Sequence, residues 1–395
     1  MDDDYLSAEE AAAYLGVSRR TLYAYVSRGQ VVSERHHGSP GRSRRYPRAA
    51  LDELKENRER RRDPALKALG ALSSGTPVLD SAVTLIADGR LWYRGHDACE
   101  LSRTVRLEEV ACLLWAGTTE RADELFPRSA SPRVAGSRRG SIADRLVARL
   151  VDARAEPAIT MSEPSWPALR AGARAIRQLF DAAGATGSGS LAQRLARGWR
   201  ARSAADINAA LILCADHELN TSSFTARCVA STDAPITNVL LAALCALEGR
   251  RHGGVSQRVQ ELLLAAERDG ARRAWRRALS TDGWVHGFGH SQGFYPEGDP
   301  RAIEILARLD LPRTDPAARI MALARQDLGM QPTLEFALAA LVRNAGLPPS
   351  AGFGLFALGR SVGWVAHALE AAAEGRLIRP RARYTGPSPT VDLGR

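Results

Sequence analysis

The feature that most limits the possible folds is a nearly unbroken succession of helical patterns from Pro167 onward. Apolar residues recur at helical spacing from Leu169 to Ala183, Ser190 to Ala201, Ala204 to Ala215, Pro235 to Glu248 and Gln257 to Ala266, with little of the alternation that marks strands. No internal repeat or transmembrane period interrupts them, so this part of the chain predicts an all-helical globule. Upstream, Ile142, Leu146 and Leu150 mark one more amphipathic helix between Arg/Gly/Ser-rich stretches. With 395 residues, two or three domains are expected.

The N-terminal segment has a different character. Tyr5-Leu6-Ser7 opens a helix with Ser7 and Glu10 placed as a capping box, and Gly16-Val17 ends it. Ser18 caps a second helix that carries Arg19, Arg20, Thr21, Tyr23 and Tyr25 outward and Leu22 and Val26 inward, ending at Gly29. Val31-Val32-Ser33 and Arg44-Arg45-Tyr46 read as two strands around a polar tip, and Pro47 starts a further helix. Between Ser18 and Arg62 there are thirteen Lys/Arg against five Asp/Glu, so part of the overall +10 charge sits where DNA phosphates would lie. Two short helices, a tight turn and a basic hairpin resemble the winged helix-turn-helix of excisionase and MerR-type proteins. That resemblance implies double-stranded DNA as a partner, with Arg19, Arg20, Tyr23 and Arg28 as the contact residues. A solvated basic face or a docking piece is the alternative.

Residues 63–76 read as a Gly- and Ser-containing linker. Beyond them, β-branched and aromatic residues flank Asp88-Gly89 as in a hairpin, and Leu107 to Gly117 follows as a helix. Five cysteines without a C-x-x-C pair read as buried thiols rather than a disulfide framework or a metal site. No basic segment followed by an apolar run opens the chain, and no apolar stretch is long enough to span a bilayer, which gives a cytoplasmic expectation.

The chemistry concentrates in three histidine segments: Cys214-Ala-Asp-His-Glu-Leu-Asn220, Arg251-His-Gly-Gly254 and Gly287-Phe-Gly-His290. Asp299-Pro-Arg301, Glu335, Arg360 and Arg379-Pro-Arg follow in that order. As an ordered set, covering roughly Pro77 to Gly386, they resemble the citrate synthase family. The resemblance implies a mainly α, two-domain helical fold: a large domain from residues 77–254 and 338–395, and a small one from 255–337, preceded by the winged helix over residues 1–62.

Carbon–carbon bond formation from an acyl thioester needs a base for a weakly acidic methyl proton, a donor to the developing enolate oxygen, and a donor to the acceptor carbonyl. By resemblance His252 is the enolate donor, His290 polarises the oxaloacetate ketone, and Glu335 is the base. His217, Arg301, Arg360 and Arg379 would hold the oxaloacetate carboxylates, a role that suits the guanidinium fork. In the family the last arginine comes from the partner subunit, which implies a homodimer with Arg379 supplied across the interface. Acetyl-coenzyme A and oxaloacetate are the implied substrates, with no metal, no cofactor and no membrane partner.

Two positions depart from the family pattern. Thr333-Leu334-Glu335-Phe336 carries glutamate where the family has aspartate. The extra methylene adds roughly 1.5 Å, and a misplacement of about 1 Å can cost on the order of 10²-fold in rate. The segment Ser291 to Gly298 is longer than the family loop and lacks a basic residue for coenzyme A phosphates, while Arg250-Arg251, in place of the Pro-Leu that usually precedes the His-Gly, would partly replace that charge. Two functions therefore stand side by side. One is an acyltransferase making citrate, or 2-methylcitrate from a propionyl thioester; the other is a DNA-binding regulator whose helical body senses a metabolite.

Overall fold

The computed structural model describes residues 5–27, 31, 33–35, 44–52, 54–55, 79–128, 140–156, 165–282, 284–289, 294–382 and 384–387. It divides into two compact units: Met1–Asp80 with Arg381–Arg395, and Ser81–Pro380.

In the first unit, β1 (Tyr5–Ser7) leads into α1 (Ala8–Tyr14), and α2 (Arg19–Ser27) follows. The capping box forms as expected, with Ser7 accepting from the Glu10 amide and Glu10 accepting from the Ser7 amide. The helix ends in a Schellman motif: Gly16 N–H donates to Ala13 and Val17 N–H to Ala12, and the positive φ of Gly16, 62°, is what lets the chain turn there. β2 (Glu34–Arg35) and β3 (Arg44–Pro47) pair antiparallel, and β1 pairs on the other side of β3 with Leu6 opposite Tyr46. So Tyr5-Leu6-Ser7 is a strand before it is a helix start, and Pro47 closes a strand before helical turns at residues 48–52. Ala11, Ala12, Leu15, Leu22, Val31, Tyr46, Leu51 and Leu54 form the core, with Tyr25 packed against it rather than facing outward. Arg28, the wing tip and the linker at residues 63–76 lie outside the described residues.

The second unit opens with a three-stranded antiparallel sheet, β4 (Thr84–Ala87), β5 (Arg90–Tyr93) and β6 (His96–Asp97). Asp88 and Gly89 both have positive φ, the two-residue turn whose twist suits a hairpin. Helices then dominate: α3 (Ala98–Thr104), α4 (Leu107–Ala116), α5 (Ala122–Leu125), α6 (Ile142–Ala153), α7 (Trp166–Ala183), α8 (Leu191–Trp199), α9 (Ala204–Cys214), α10 (Thr221–Ala230) and α11 (Ile236–Leu247). After these come α12 (Val255–Asp269), α13 (Ala271–Asp282), α14 (Pro300–Leu309), α15 (Pro316–Leu328), α16 (Leu334–Asn344) and α17 (Ala351–Glu374).

The axis of the unit is α17, buried almost continuously from Ala351 to Ala371, as a helix must be when apolar residues surround it. It lies directly on α9 because Gly359 and Gly363 have no side chains. A Cβ at Gly359 would come within 2.4 Å of the Leu211 carbonyl oxygen, and one at Gly363 within 2.3 Å of that of Ala215. Gly363 N–H in fact donates to the Ala215 carbonyl at 3.0 Å. This contact brings Arg360 beside the end of α9. Of the cysteines, Cys112 and Cys214 are buried, Cys99 and Cys228 are half-buried, and Cys245 is exposed, so the expectation of buried thiols fails at Cys245. Among the described residues no helix is long and apolar enough to cross a membrane.

Candidate active site

The loop after α9 carries His217 and is fixed from three sides. Tyr93 on β5 donates its hydroxyl to the Ile212 carbonyl at 3.0 Å and meets both the N–H and the carbonyl of Asp216 at 3.2 Å. Glu218, at a φ of 52°, accepts from the Ile86 amide. Asn220 caps α10 by accepting from the amides of Ser222 and Ser223. His217 then points its Nε2 at the Tyr295 hydroxyl, 3.0 Å away, with the Phe294 ring at its edge. Burial, with the Arg301 and Arg360 guanidiniums nearby, holds its pKa well below the ordinary histidine value, so the ring is neutral.

His252 sits in the turn between α11 and α12. Its Nε2 is 3.0 Å from Ser222 Oγ, which also accepts from the Trp364 indole N–H at 3.2 Å. The Phe356 ring stands edge-on to the imidazole, centroids 5.9 Å apart. Burial, and then Arg360, push the His252 pKa down to about 4, so it too is neutral at physiological pH.

Arg301 follows from its Asp-Pro-Arg context. Asp299 caps α14 by accepting from the Arg301 amide, and its two carboxylate oxygens take the Arg301 Nε and Nη2 at 2.9 and 2.7 Å. Both side chains are buried. Arg360 is 1% exposed and donates Nε to the Cys214 carbonyl at 2.8 Å, with its guanidinium over the Phe356 ring. It makes no ion pair with any described carboxylate. The Asp216 carboxylate acts on it electrostatically without pairing with it. A buried guanidinium with no carboxylate in contact is costly, and such groups are found where an anionic ligand completes them.

Glu335 stands in the first turn of α16, where the Thr333 hydroxyl donates to its Oε2 at 2.6 Å. The Gly-Phe-Gly loop is paired to the strand-like stretch just before Glu335: Gly289 N–H donates to the Gln331 carbonyl, and Thr333 N–H to that of Gly287. His290, which follows that loop, lies outside the described residues. The electrostatic influence of Arg301 and Arg360 reaches His217, that of Arg360 reaches His252, and Glu335 acts on Arg301, so these five groups share one neighbourhood. Arg379 does not join them within the chain. It is exposed on the extended stretch after α17, where the Ile378 amide is held by Ser231 Oγ. In the N-terminal unit, Arg19, Arg20 and Tyr23 are all exposed on α2.

Ser222, Tyr295 and Thr333, which touch the candidate histidines and carboxylate, do not stand out in the sequence as site residues. Ser222 had a signal, since it lies in the first turn after a capping Asn; Tyr295 is 78 residues from its partner and had none. Among the described residues no cluster of His, Cys, Asp or Glu could hold a metal ion. A hollow lined by Arg154, Arg174 and Asn238, and another lined by Arg94, Arg121 and Trp166, include none of the groups above.

With the geometry in hand, comparison with known proteins gives a consistent picture. Residues 166–381 match the family model for the citrate synthase C-terminal domain, and residues 5–59 that for a helix-turn-helix domain. Citrate synthase 2 of Bacillus subtilis is 35% identical over 189 residues, 46% of this chain and 50% of that protein. 2-Methylcitrate synthase 2 of Corynebacterium glutamicum is 30% identical over 190 residues, 46% of this chain and 49% of that one. The chain thus spans about half the length of these relatives. In fold it resembles the citrate synthase of Thermotoga maritima, with a TM-score of 0.65 and 23% identity over 80% of this chain and 96% of that one. It also resembles the Thermoplasma acidophilum citrate synthase, solved with carboxymethyl coenzyme A and oxaloacetate, with a TM-score of 0.69 and 22% identity over 81% and 97% of the two chains.

Proposed function

Because the chain belongs to the citrate synthase family, whose C-terminal domain model matches more than half of it, we propose that it condenses acetyl-coenzyme A with oxaloacetate to citrate and coenzyme A. The observation that carries this reading is Arg360: a buried guanidinium with no carboxylate partner among the described residues, close to a second buried arginine and two neutral imidazoles. A dicarboxylate acceptor is the ligand that would complete such a group.

In the reaction, Glu335 takes a methyl proton from the thioester, and the C–H electron pair moves to make an enolate whose oxygen His252 stabilises. The enolate carbon then attacks the oxaloacetate ketone, whose oxygen takes up the electron pair and a proton from His290. Water cleaves the resulting citryl thioester. The surroundings of His252 suit its part. Ser222 Oγ, which donates to Asn220 Oδ1 at 2.8 Å, lies 3.0 Å from His252 Nε2 and anchors the imidazole beside Phe356. A neutral donor avoids protonating the enolate outright and remains available at neutral pH. We further propose that Arg379 completes the acceptor site of a partner subunit, and that residues 255–337 close on the rest of the helical unit when the acceptor binds.

Thiol release from acetyl- and propionyl-coenzyme A in the presence of oxaloacetate tests this. Turnover by the wild type and a fall of about 10²–10⁴-fold in Glu335→Gln are expected. Oxaloacetate binding without thiol release would instead favour the second reading, a regulator that keeps the acceptor site to sense a metabolite. Exposed Arg19, Arg20 and Tyr23 in a helix-turn-helix unit support that reading, and salt-sensitive retardation of duplex DNA is its own assay.

A further inference from the structure

Behind the loop that carries His217 lies a chain of buried charges that the condensation chemistry does not use. His367, fully buried on α17, sets its Nε2 3.2 Å from Asp216 Oδ1, and Asp216 immediately precedes His217. The other ring nitrogen, Nδ1, is 3.7 Å from Glu370 Oε2, an ion-pair rather than a hydrogen-bond distance. Glu370 in turn accepts from the Ser81 hydroxyl at 2.8 Å, the Ala82 amide at 2.7 Å and Arg227 at 3.0 Å. Arg227 also pairs with Glu374. The carboxylate of Asp216 packs over Gly363, where a Cβ would lie 2.5 Å from its Oδ1.

A buried ion is costly unless several partners meet it, and an apolar residue at position 367 would pack in an otherwise apolar helix without that cost. What the imidazole adds is a link between two carboxylates on different segments, one next to His217 and one holding the first residues of the helical unit. We propose that His367 is a positioning residue: by bridging Asp216 to Glu370 it fixes the backbone from which His217 reaches toward Arg301 and Arg360. The proposal deepens the acceptor-site reading and rests on it. Burial opposes the charge, but Asp216 and then Glu370 hold the His367 pKa up to about 9, so the bridge is intact at neutral pH.

The test uses the full chain with histidines labelled by nitrogen-15, comparing wild type with His367→Asn and Glu370→Gln. Loss of the bridge should raise the KM for oxaloacetate by roughly tenfold or more while kcat changes by less than about threefold. The ring resonances of His217, assigned by its absence in His217→Gln, should shift in the same variants. A folded His367→Asn protein with KM within about twofold of wild type and unmoved His217 resonances would overturn the proposal. If His367→Asn does not fold, Glu370→Gln decides by the same criteria, because it keeps an acceptor for Ser81 and Ala82 while removing the charge. If the wild type neither binds nor converts oxaloacetate, the acceptor reading is what fails, and the His217 resonances still decide whether the bridge positions that ring.

Discussion

The two sides of the loop from Ala215 to Asn220 hold buried ionisable groups in opposite states. Behind it, His367 is charged between Asp216 and Glu370, and Arg227 is paired with two glutamates, so the buried charges answer one another. In front of it, His217 and His252 are neutral and Arg360 has no ion-pair partner among the described residues. His367 is fully buried while His217 and His252 are half-buried, yet only His367 is charged, because its carboxylate neighbours outweigh the burial that keeps the other two rings neutral. Carboxylates hold the proton on His367, whereas burial, reinforced by nearby arginines, keeps it off His217 and His252. A side with its charges matched is a strut. The other side holds Arg301 paired with Asp299, Arg360 with no described carboxylate in contact, and neutral imidazoles, which is the arrangement the proposed acceptor site needs.

Four experiments can break or sharpen this contrast. Arg227→Met should have the largest effect, because it takes the buried cation away from the partly buried Glu370 and Glu374: a loss of about 3 kcal/mol is expected from chemical denaturation. Next comes the pH dependence of thermal stability. The His367 pKa is raised in the fold, so its contribution is fully present below about 6.5, the unfolded value, and is lost as pH rises through about 9. Its size is on the order of 3 kcal/mol. The groups facing it are Asp216 on the loop and Glu370 on its own helix, with Arg227, Glu374 and Arg360 next to those. His252 has the opposite sign: its pKa is lowered, so stability falls as pH drops below about 6.5 toward about 4. His367→Asn should flatten the alkaline limb of a melting profile and His252→Gln the acid limb.

Arg360→Met gives the third test. Removing an unmatched buried charge should leave the unliganded protein as stable as wild type or more stable by about 1–2 kcal/mol, while acceptor binding collapses. Equal destabilisation by Arg360→Met and Arg227→Met would erase the distinction between the two sides. The smallest effect is expected from Tyr295→Phe, which removes one hydrogen bond to His217, worth about 1 kcal/mol. A fall in oxaloacetate affinity of roughly fivefold, read by calorimetry, is the expected outcome.

Much of the fold was legible because its signals are local. The Ser7/Glu10 box, the Asp88-Gly89 turn and Ser190 at the start of α8 each act within a few residues, and each forms as the spacing implies. The strand Tyr5–Ser7 was not legible: three residues carry no period, and its partner β3 is some forty positions on. The charged strut was hidden for the same reason. His367 sits between Ala366 and Ala368 in an apolar helix and reads as a core residue until Asp216, 151 positions earlier, is brought to it. Arg360 had an ordered motif around it, but its lack of a carboxylate partner is a three-dimensional fact. The exposure of Cys245 on α11 likewise follows from which face of that helix the neighbouring helices cover.

The most direct measurement is calorimetric titration of the full chain with oxaloacetate alone, in wild type and in Arg360→Met. Saturable binding to the wild type that weakens by about 10²-fold or more in Arg360→Met is the expected result. Absence of binding to the wild type, or equal affinity in the two proteins, would contradict the assignment of the arginine side as the acceptor site.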